Sequence, residues 1–71
     1  MPSLDMWRQV IDDAIIREGV YNNNTASFWQ WLQVVHYHQP KLEFSEKLAN
    51  EILDNVKTLV KEYKAYKARN P

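Results

Sequence analysis

The chain has 71 residues, with nine acidic and nine basic side chains, 13% aromatic residues, one glycine and no cysteine. A chain of this length forms one domain at most and buries only about 60% of the surface that its unfolded state exposes. Because disulfides and Cys-based zinc sites are excluded, the composition favours an aromatic-rich core, self-association, or both.

Charge is balanced overall but unevenly distributed along the chain. Residues 1–56 contain four basic and eight acidic side chains, whereas residues 57–71 contain five basic side chains and a single acidic one, Glu62. No apolar segment approaches the ~20 residues that span a bilayer, and the charged residues near the start argue against a secretory signal. The absence of cysteine agrees with a reducing compartment. We therefore expect a cytoplasmic protein that does not associate with a membrane.

The scarcity of glycine predicts an all-α fold, because the tight turns of β-rich proteins repeatedly need positive φ angles. Gly19 with the asparagines at 22–24, and then Pro40, divide the chain into three segments. We predict a compact three-helix domain over residues 1–71, with helices at about 4–18, 26–37 and 45–68, that is dimeric.

The first segment has a helical pattern between Ser3, a candidate N-cap, and Gly19, a candidate residue just beyond the helix end. Its apolar stripe consists of Leu4, Trp7, Ile11 and Ala14, widened by Val10 and Ile15. Opposite charges four residues apart predict two ion pairs on the outer side of this helix, Arg8–Asp12 and Asp13–Arg17.

The second segment is the richest in aromatic residues. Thr25 is its candidate N-cap, and Pro40 marks its limit. The main helical face consists of Phe28, Trp31, Leu32 and Val35. Aromatic and β-branched residues would also suit a strand. However, no second strand is available to satisfy its backbone, so a helix is favoured.

The third segment has the most regular pattern. Ser45 is its candidate N-cap, with Phe44 as the hydrophobic residue before it. Apolar residues then recur at intervals of three or four: Ala49, Ile52, Val56, Leu59, Tyr63 and Tyr66. This pattern predicts one uninterrupted helix of about 35 Å, at 1.5 Å per residue, that projects beyond the first two. Its wide apolar face favours a globular bundle over a coiled coil.

The second helix has more apolar directions than a three-helix core needs, which leaves two interpretations. Its aromatic residues are either core on all sides or part of a surface that docks a partner. The candidate partner-binding residues are Trp29, Trp31, Val34, Tyr37, Tyr63 and Tyr66. Because Trp29 lies about 100° from the main apolar face, we expect it to be the exposed anchor.

The basic end of the chain suggests a different partner. The candidate nucleic-acid contacts are Lys57, Lys61, Lys64, Lys67 and Arg69. Lysines interleaved with Tyr63 and Tyr66 would suit a phosphate backbone with stacked bases. The alternative is a solvated face whose cations favour a helix C-terminus. The connections between helices are too long for a helix-turn-helix motif.

Neither catalysis nor metal binding is indicated. His36 and His38 point about 200° apart on a helix and converge only if that helix frays. Ser3, Ser27 and Ser45 are explained as caps or first-turn residues, and no spacing suggests a nucleophile with its base. We therefore expect no enzyme activity, metal, cofactor or small-molecule substrate.

The sequence thus favours a small intracellular protein-interaction module, a regulator or adaptor. We expect it to act as a homodimer and to bind another protein through aromatic surfaces and the third helix. The alternative is a small nucleic-acid-binding protein that uses the basic C-terminal helix. Only nucleic-acid binding should weaken steeply with ionic strength.

Overall fold

A computed structural model describes residues 3–71 and shows four α-helices and no strand in that range. They are α1 (Leu4–Arg17), α2 (Thr25–Trp31), α3 (Glu46–Asp54) and α4 (Val56–Arg69). A 3₁₀ turn at Asn22–Asn24 precedes α2, and a π-helical stretch at Leu32–His36 continues it. The all-α prediction is confirmed, and the predicted number of helices is wrong. Residues 1 and 2 of the expected domain lie outside the described residues.

Helix α1 begins at the predicted residue and ends at Arg17, one residue before the predicted end. The Ser3 hydroxyl accepts a hydrogen bond from the backbone N–H of Met6 at 3.2 Å. Gly19 adopts a φ of 100°, which a glycine tolerates without strain. The N–H of Val20 donates to the carbonyl of Ile15, and that of Gly19 to Ile16. This pair of bonds is a Schellman motif, which satisfies the last carbonyl groups of α1.

Helix α2 begins differently from the prediction. Thr25 is its first residue rather than its N-cap, and the Thr25 hydroxyl donates to the carbonyl of Asn22 at 3.3 Å. The 3₁₀ turn leads directly into α2, and Asn24, at the N-cap position, makes no capping hydrogen bond with its side chain. At the far end, His38 has a φ of 55° and ends the helical conformation before Pro40.

The predicted long third helix is interrupted at Asn55, so that prediction is wrong. Asn55 has φ and ψ angles of −116° and 17°, outside the helical region. Its side-chain amide donates to the carbonyl of Glu51 at 2.8 Å, and its backbone N–H donates to Ile52. Asparagine competes in this way for local backbone groups, which explains why α3 ends here and α4 begins.

One hydrophobic core joins all four helices. Helix α1 packs against α2, α3 and α4. The buried cluster consists of Ile11, Ile15, Val20, Phe28, Trp29, Trp31, Leu32, Ala49, Ile52, Leu59, Val60 and Tyr63. It includes most of the apolar positions predicted for the third segment. Leu4 and Val10, predicted on the buried stripe of α1, are instead about half exposed.

The described residues form a compact body of 39 × 27 × 20 Å. The last turn of α4, residues 67–69, is exposed. Among the helices of residues 3–71, none combines the length and the apolar character required to cross a bilayer.

Candidate interaction surface

The aromatic residues of α2 are mainly core residues that connect α2 to α4. The rings of Phe28, Trp31 and Tyr63 contact one another, with centroid separations of 5.4–5.7 Å. Trp31 is 5% exposed, and the Tyr63 hydroxyl donates to Ser27 at 3.0 Å. Edge-to-face aromatic pairs stabilise beyond the area they bury. Tyr63, a predicted partner-binding residue, is therefore a core residue that packs against α2.

Trp29 is buried, so the expectation of an exposed anchor at this position is wrong. It is only 8% exposed. Its indole N–H donates to the Asp12 carboxylate at 2.6 Å, the Arg8 guanidinium lies 4.3 Å from its ring centroid, and Phe44 contacts it edge-on. Arg8 and Asp12 thus both contact Trp29 instead of pairing with each other. The predicted Asp13–Arg17 pair is also absent from residues 3–71, where the contact between a basic and an acidic side chain within 4 Å is the one between His36 and Glu62.

An open groove between α2 and α4 collects three of the predicted partner-binding residues. This α2–α4 groove has a volume of about 260 Å³ and is lined by Ser27, Gln30, Trp31, Val34, Val35, Tyr66 and Lys67. Val34 is 47% exposed on its rim. Trp31, Val34 and Tyr66 thus lie together as the apolar lining of this groove, and Lys67 adds a cation to it.

Tyr37, another predicted partner-binding residue, lies elsewhere. Its hydroxyl donates to the Glu51 carboxylate of α3 at 3.3 Å. Burial raises the pKa of Tyr37 above 10.0, with further contributions from the negative charge of Glu51 and from this hydrogen bond. The neighbouring His36 approaches Glu62 of α4 at 3.4 Å. This side of the molecule is polar and separate from the α2–α4 groove.

A second groove, which sequence reasoning missed, lies on the other side of α2. This Arg8 groove has a volume of about 250 Å³ and is lined by Arg8, Ala26, Trp29, Gln30, Gln33, Leu42 and Phe44. Gln30 lines both grooves, so the exposed ridge of α2 separates them. One signal was visible in the sequence: residues 19–40 contain no Asp, Glu, Lys or Arg.

The predicted nucleic-acid contacts are exposed, but they do not form one uniform set. Lys57, Lys61 and Lys64 share one side of α4, and all three are exposed. The Lys64 ammonium donates to the carbonyl of Glu18 at 2.9 Å, where it stabilises the C-terminus of α1. Lys67 instead lines the α2–α4 groove, and Arg69 lies in the exposed last turn.

Polar residues considered for chemistry have local structural roles. Ser3 and Ser45 accept hydrogen bonds from backbone N–H groups, as predicted for N-caps. Ser27 accepts one from Tyr63. In the described part of the chain, no three His, Asp or Glu residues cluster in a way that could hold a metal ion.

No protein-family model matches the chain, and no curated protein or solved structure is significantly similar to it. The chemistry of the α2 surface therefore follows from its own residues. Its two grooves can accept apolar side chains, its glutamines can exchange hydrogen bonds, and its cations can pair with anionic groups.

Proposed function

We propose that the protein is a small protein-interaction module, a regulator or adaptor. Its partner docks on a surface that we call the α2 face, which comprises Ala26, Gln30 and Val34, on α2 and the π-helical stretch that continues it, with the groove on each side. The main support is the charge-free segment 19–40 with an open groove on each side of its helix. The cores of protein interfaces are depleted in charged residues and enriched in aromatic ones. The exposed side of this helix fits the depletion in charge, since it carries no Asp, Glu, Lys or Arg between two grooves with aromatic walls.

The α2–α4 groove is the better docking site for an apolar side chain. Val34 is exposed at its edge, while Trp31 is held behind it by contacts with Phe28 and Tyr63. Side chains that are already fixed before binding lose little conformational entropy in the complex. This rigidity supports Val34 and Tyr66 as binding residues, with Trp31 as the fixed wall behind them, whereas Trp29 is mainly a structural residue whose ring lines the Arg8 groove.

Self-association is part of the proposal. Small domains without disulfides often gain stability through oligomerisation. Leu4, Met6 and Val10 on α1 are exposed apolar side chains, Leu4 in the first turn of the helix and Met6 on the side opposite the buried Ile11 and Ile15. A homodimer would remove such residues from water without using the α2 face.

Nucleic-acid binding through α4 is the less supported function. Lys57, Lys61, Lys67 and Arg69 are exposed, and the helix has one acidic residue. However, base stacking needs accessible aromatic faces, and Tyr63 is buried with its hydroxyl bonded to Ser27. Lys64 also has a structural contact on α1.

A pull-down from host extract with and without nuclease, using matched variants, tests the proposal. Val34→Glu places a charge on the rim of the α2–α4 groove, whereas Asn50→Glu places the same charge on the exposed side of α3. We expect a defined protein to be retained by the wild type and by Asn50→Glu, independently of nuclease. Val34→Glu should lose it while circular dichroism shows an unchanged fold.

Two results would contradict the proposal. One is a protein that all three chains retain equally, since the α2 face would then play no part. The other is retention that disappears after nuclease treatment or falls steeply with ionic strength, which would favour nucleic acid.

A further inference from the structure

Among residues 3–71, the side chains that line each groove beside α2 include one cation and no acid. Arg8 lies in one and Lys67 in the other, and neither has an acidic partner within salt-bridge distance in residues 3–71. We infer that the α2 face binds an acidic amphipathic segment of a partner protein. Its apolar side chains would enter the grooves, and its carboxylates would pair with Arg8 and Lys67. This inference rests on the proposed function and specifies the chemistry of the partner.

Arg8 is held in place before any ligand binds. Its guanidinium lies over the Trp29 ring at 4.3 Å, and the ring itself is fixed by the hydrogen bond to Asp12. A guanidinium stacked on an aromatic face keeps its N–H edge free for two parallel bonds to a carboxylate. Asp12, four residues along α1, accepts the Trp29 N–H and makes no salt bridge with Arg8, and Glu43 of the loop before α3 lines a different depression. The positive charge in the Arg8 groove is therefore available to a ligand.

Lys67 supplies the matching charge on the other side. The acidic residue of α4, Glu62, approaches His36 in a separate depression and does not line the α2–α4 groove. Lys64 contacts α1, so Lys67 is the lysine of α4 that the groove exposes to a ligand. Since the residues lining this groove include no acid, its electrostatic potential favours an anionic partner.

The arrangement suits a peptide better than a nucleic acid. Arg8 and Lys67 are separated by the uncharged ridge of Gln30 and Val34, where a phosphate backbone would find no cation. The grooves offer apolar walls from Trp31 and Trp29, which are mostly buried and do not present open faces to bases. Apolar anchors flanked by carboxylates are the pattern that complements this surface.

Selection from a displayed library of random peptides, using the full chain as bait, tests the inference. We expect enriched peptides to combine large apolar residues with Asp or Glu. Their affinity should fall about tenfold or more in the double variant Arg8→Glu with Lys67→Glu. The matched control, Lys57→Glu with Lys61→Glu, changes the same charges elsewhere and should bind within about twofold of the wild type. Peptides with Lys in place of the acids should prefer the double variant.

Arg8→Gln with Lys67→Gln removes charge without adding repulsion, and near-ultraviolet circular dichroism checks that Trp29 keeps its environment. The inference of an acidic partner would be overturned if the enriched peptides contain no Asp or Glu and bind both double variants as tightly as the wild type. If Val34→Glu still abolishes their binding, the proposed function remains intact. If no enriched peptide depends on Val34 for binding, both the inference and the proposed function are overturned. A single-stranded DNA oligonucleotide that binds the wild type but not Lys57→Glu with Lys61→Glu would overturn both in favour of nucleic acid.

Discussion

Trp29 connects three separate parts of the chain through one indole ring. Its N–H contacts Asp12 of α1, its face contacts Arg8, and its edge meets Phe44 of the loop before α3. The sequence predicted Arg8 and Asp12 as an ion pair on the outer side of α1, and this is wrong because both residues contact Trp29 of α2. A helical wheel shows in which direction a side chain leaves its own helix. It does not show which residues of other helices or loops lie in that direction.

Truncation of Trp29 should therefore affect folding. Trp29→Ala is expected to lower the free energy of unfolding by about 3–5 kcal/mol, because it leaves a large cavity in the core. Asp12→Ala, which leaves the indole N–H without its acceptor, should cost about 1–3 kcal/mol. Urea denaturation measures both. A loss well under 1 kcal/mol in Trp29→Ala would contradict its buried position.

Tyr37 should make stability sensitive to alkaline pH. Its pKa is raised in the folded state, first by burial and then by Glu51, so the folded protein holds the phenolic proton more tightly than the unfolded chain. This contribution is complete below a pH of about 10 and is lost as the pH rises through the folded pKa. Thermal melts on either side of that pH should show a smaller alkaline loss in Tyr37→Phe. Equal losses in both proteins would contradict the coupling.

At the scale of elements, helix ends were predictable where one local hydrogen bond determines them. Ser3, Gly19 and Ser45 act within three or four residues, so their roles can be recognised in the sequence. The break at Asn55 was not predictable from periodicity. Ile52 and Val56 continue the apolar pattern across it, because a short interruption leaves both helices facing the same core. The preference of asparagine for local backbone bonds was the available signal.

The contact of Asn55 with Glu51 should stabilise the junction between α3 and α4. Asn55→Ala is expected to lower the free energy of unfolding by about 0.5–1 kcal/mol, because it removes this hydrogen bond, although alanine is the better helix former. The control Asn50→Ala, at an exposed position inside α3, should instead stabilise by a few tenths of a kcal/mol. Stabilisation by both changes would indicate a continuous helix in solution.

At the scale of the whole molecule, the fold class could be predicted from composition and periodicity, whereas the candidate interaction surface could be predicted only in part. Trp31, Val34 and Tyr66 meet because α2 packs on α4. A helical wheel shows the directions of Trp31 and Val34 around their helix, but it does not show that Tyr66 lies beside them. The Arg8 groove depends on where Leu42 and Phe44 place the loop between α2 and α3. That loop has no periodic pattern, so its position could not be derived from local rules.

Self-association is the prediction that belongs to this scale. Analytical ultracentrifugation at tens of micromolar near neutral pH should show a dimer or larger species, because a small domain with exposed apolar residues on α1 gains stability from a partner copy. Its melting temperature should also rise with protein concentration. A species of 8.5 kDa with high thermal stability would contradict this expectation.

The positions of the lysine side chains allow the binding of a partner to the α2 face to be detected by chemical modification. Lysine is absent between residues 1 and 40, so amine-reactive reagents cannot modify α2 itself. Lys67 is the lysine in the α2–α4 groove, and Lys57 on another side of α4 is exposed outside it. Acetylation footprinting by mass spectrometry would thus report a bound partner as protection of one lysine, with Lys57 of the same helix as an internal standard.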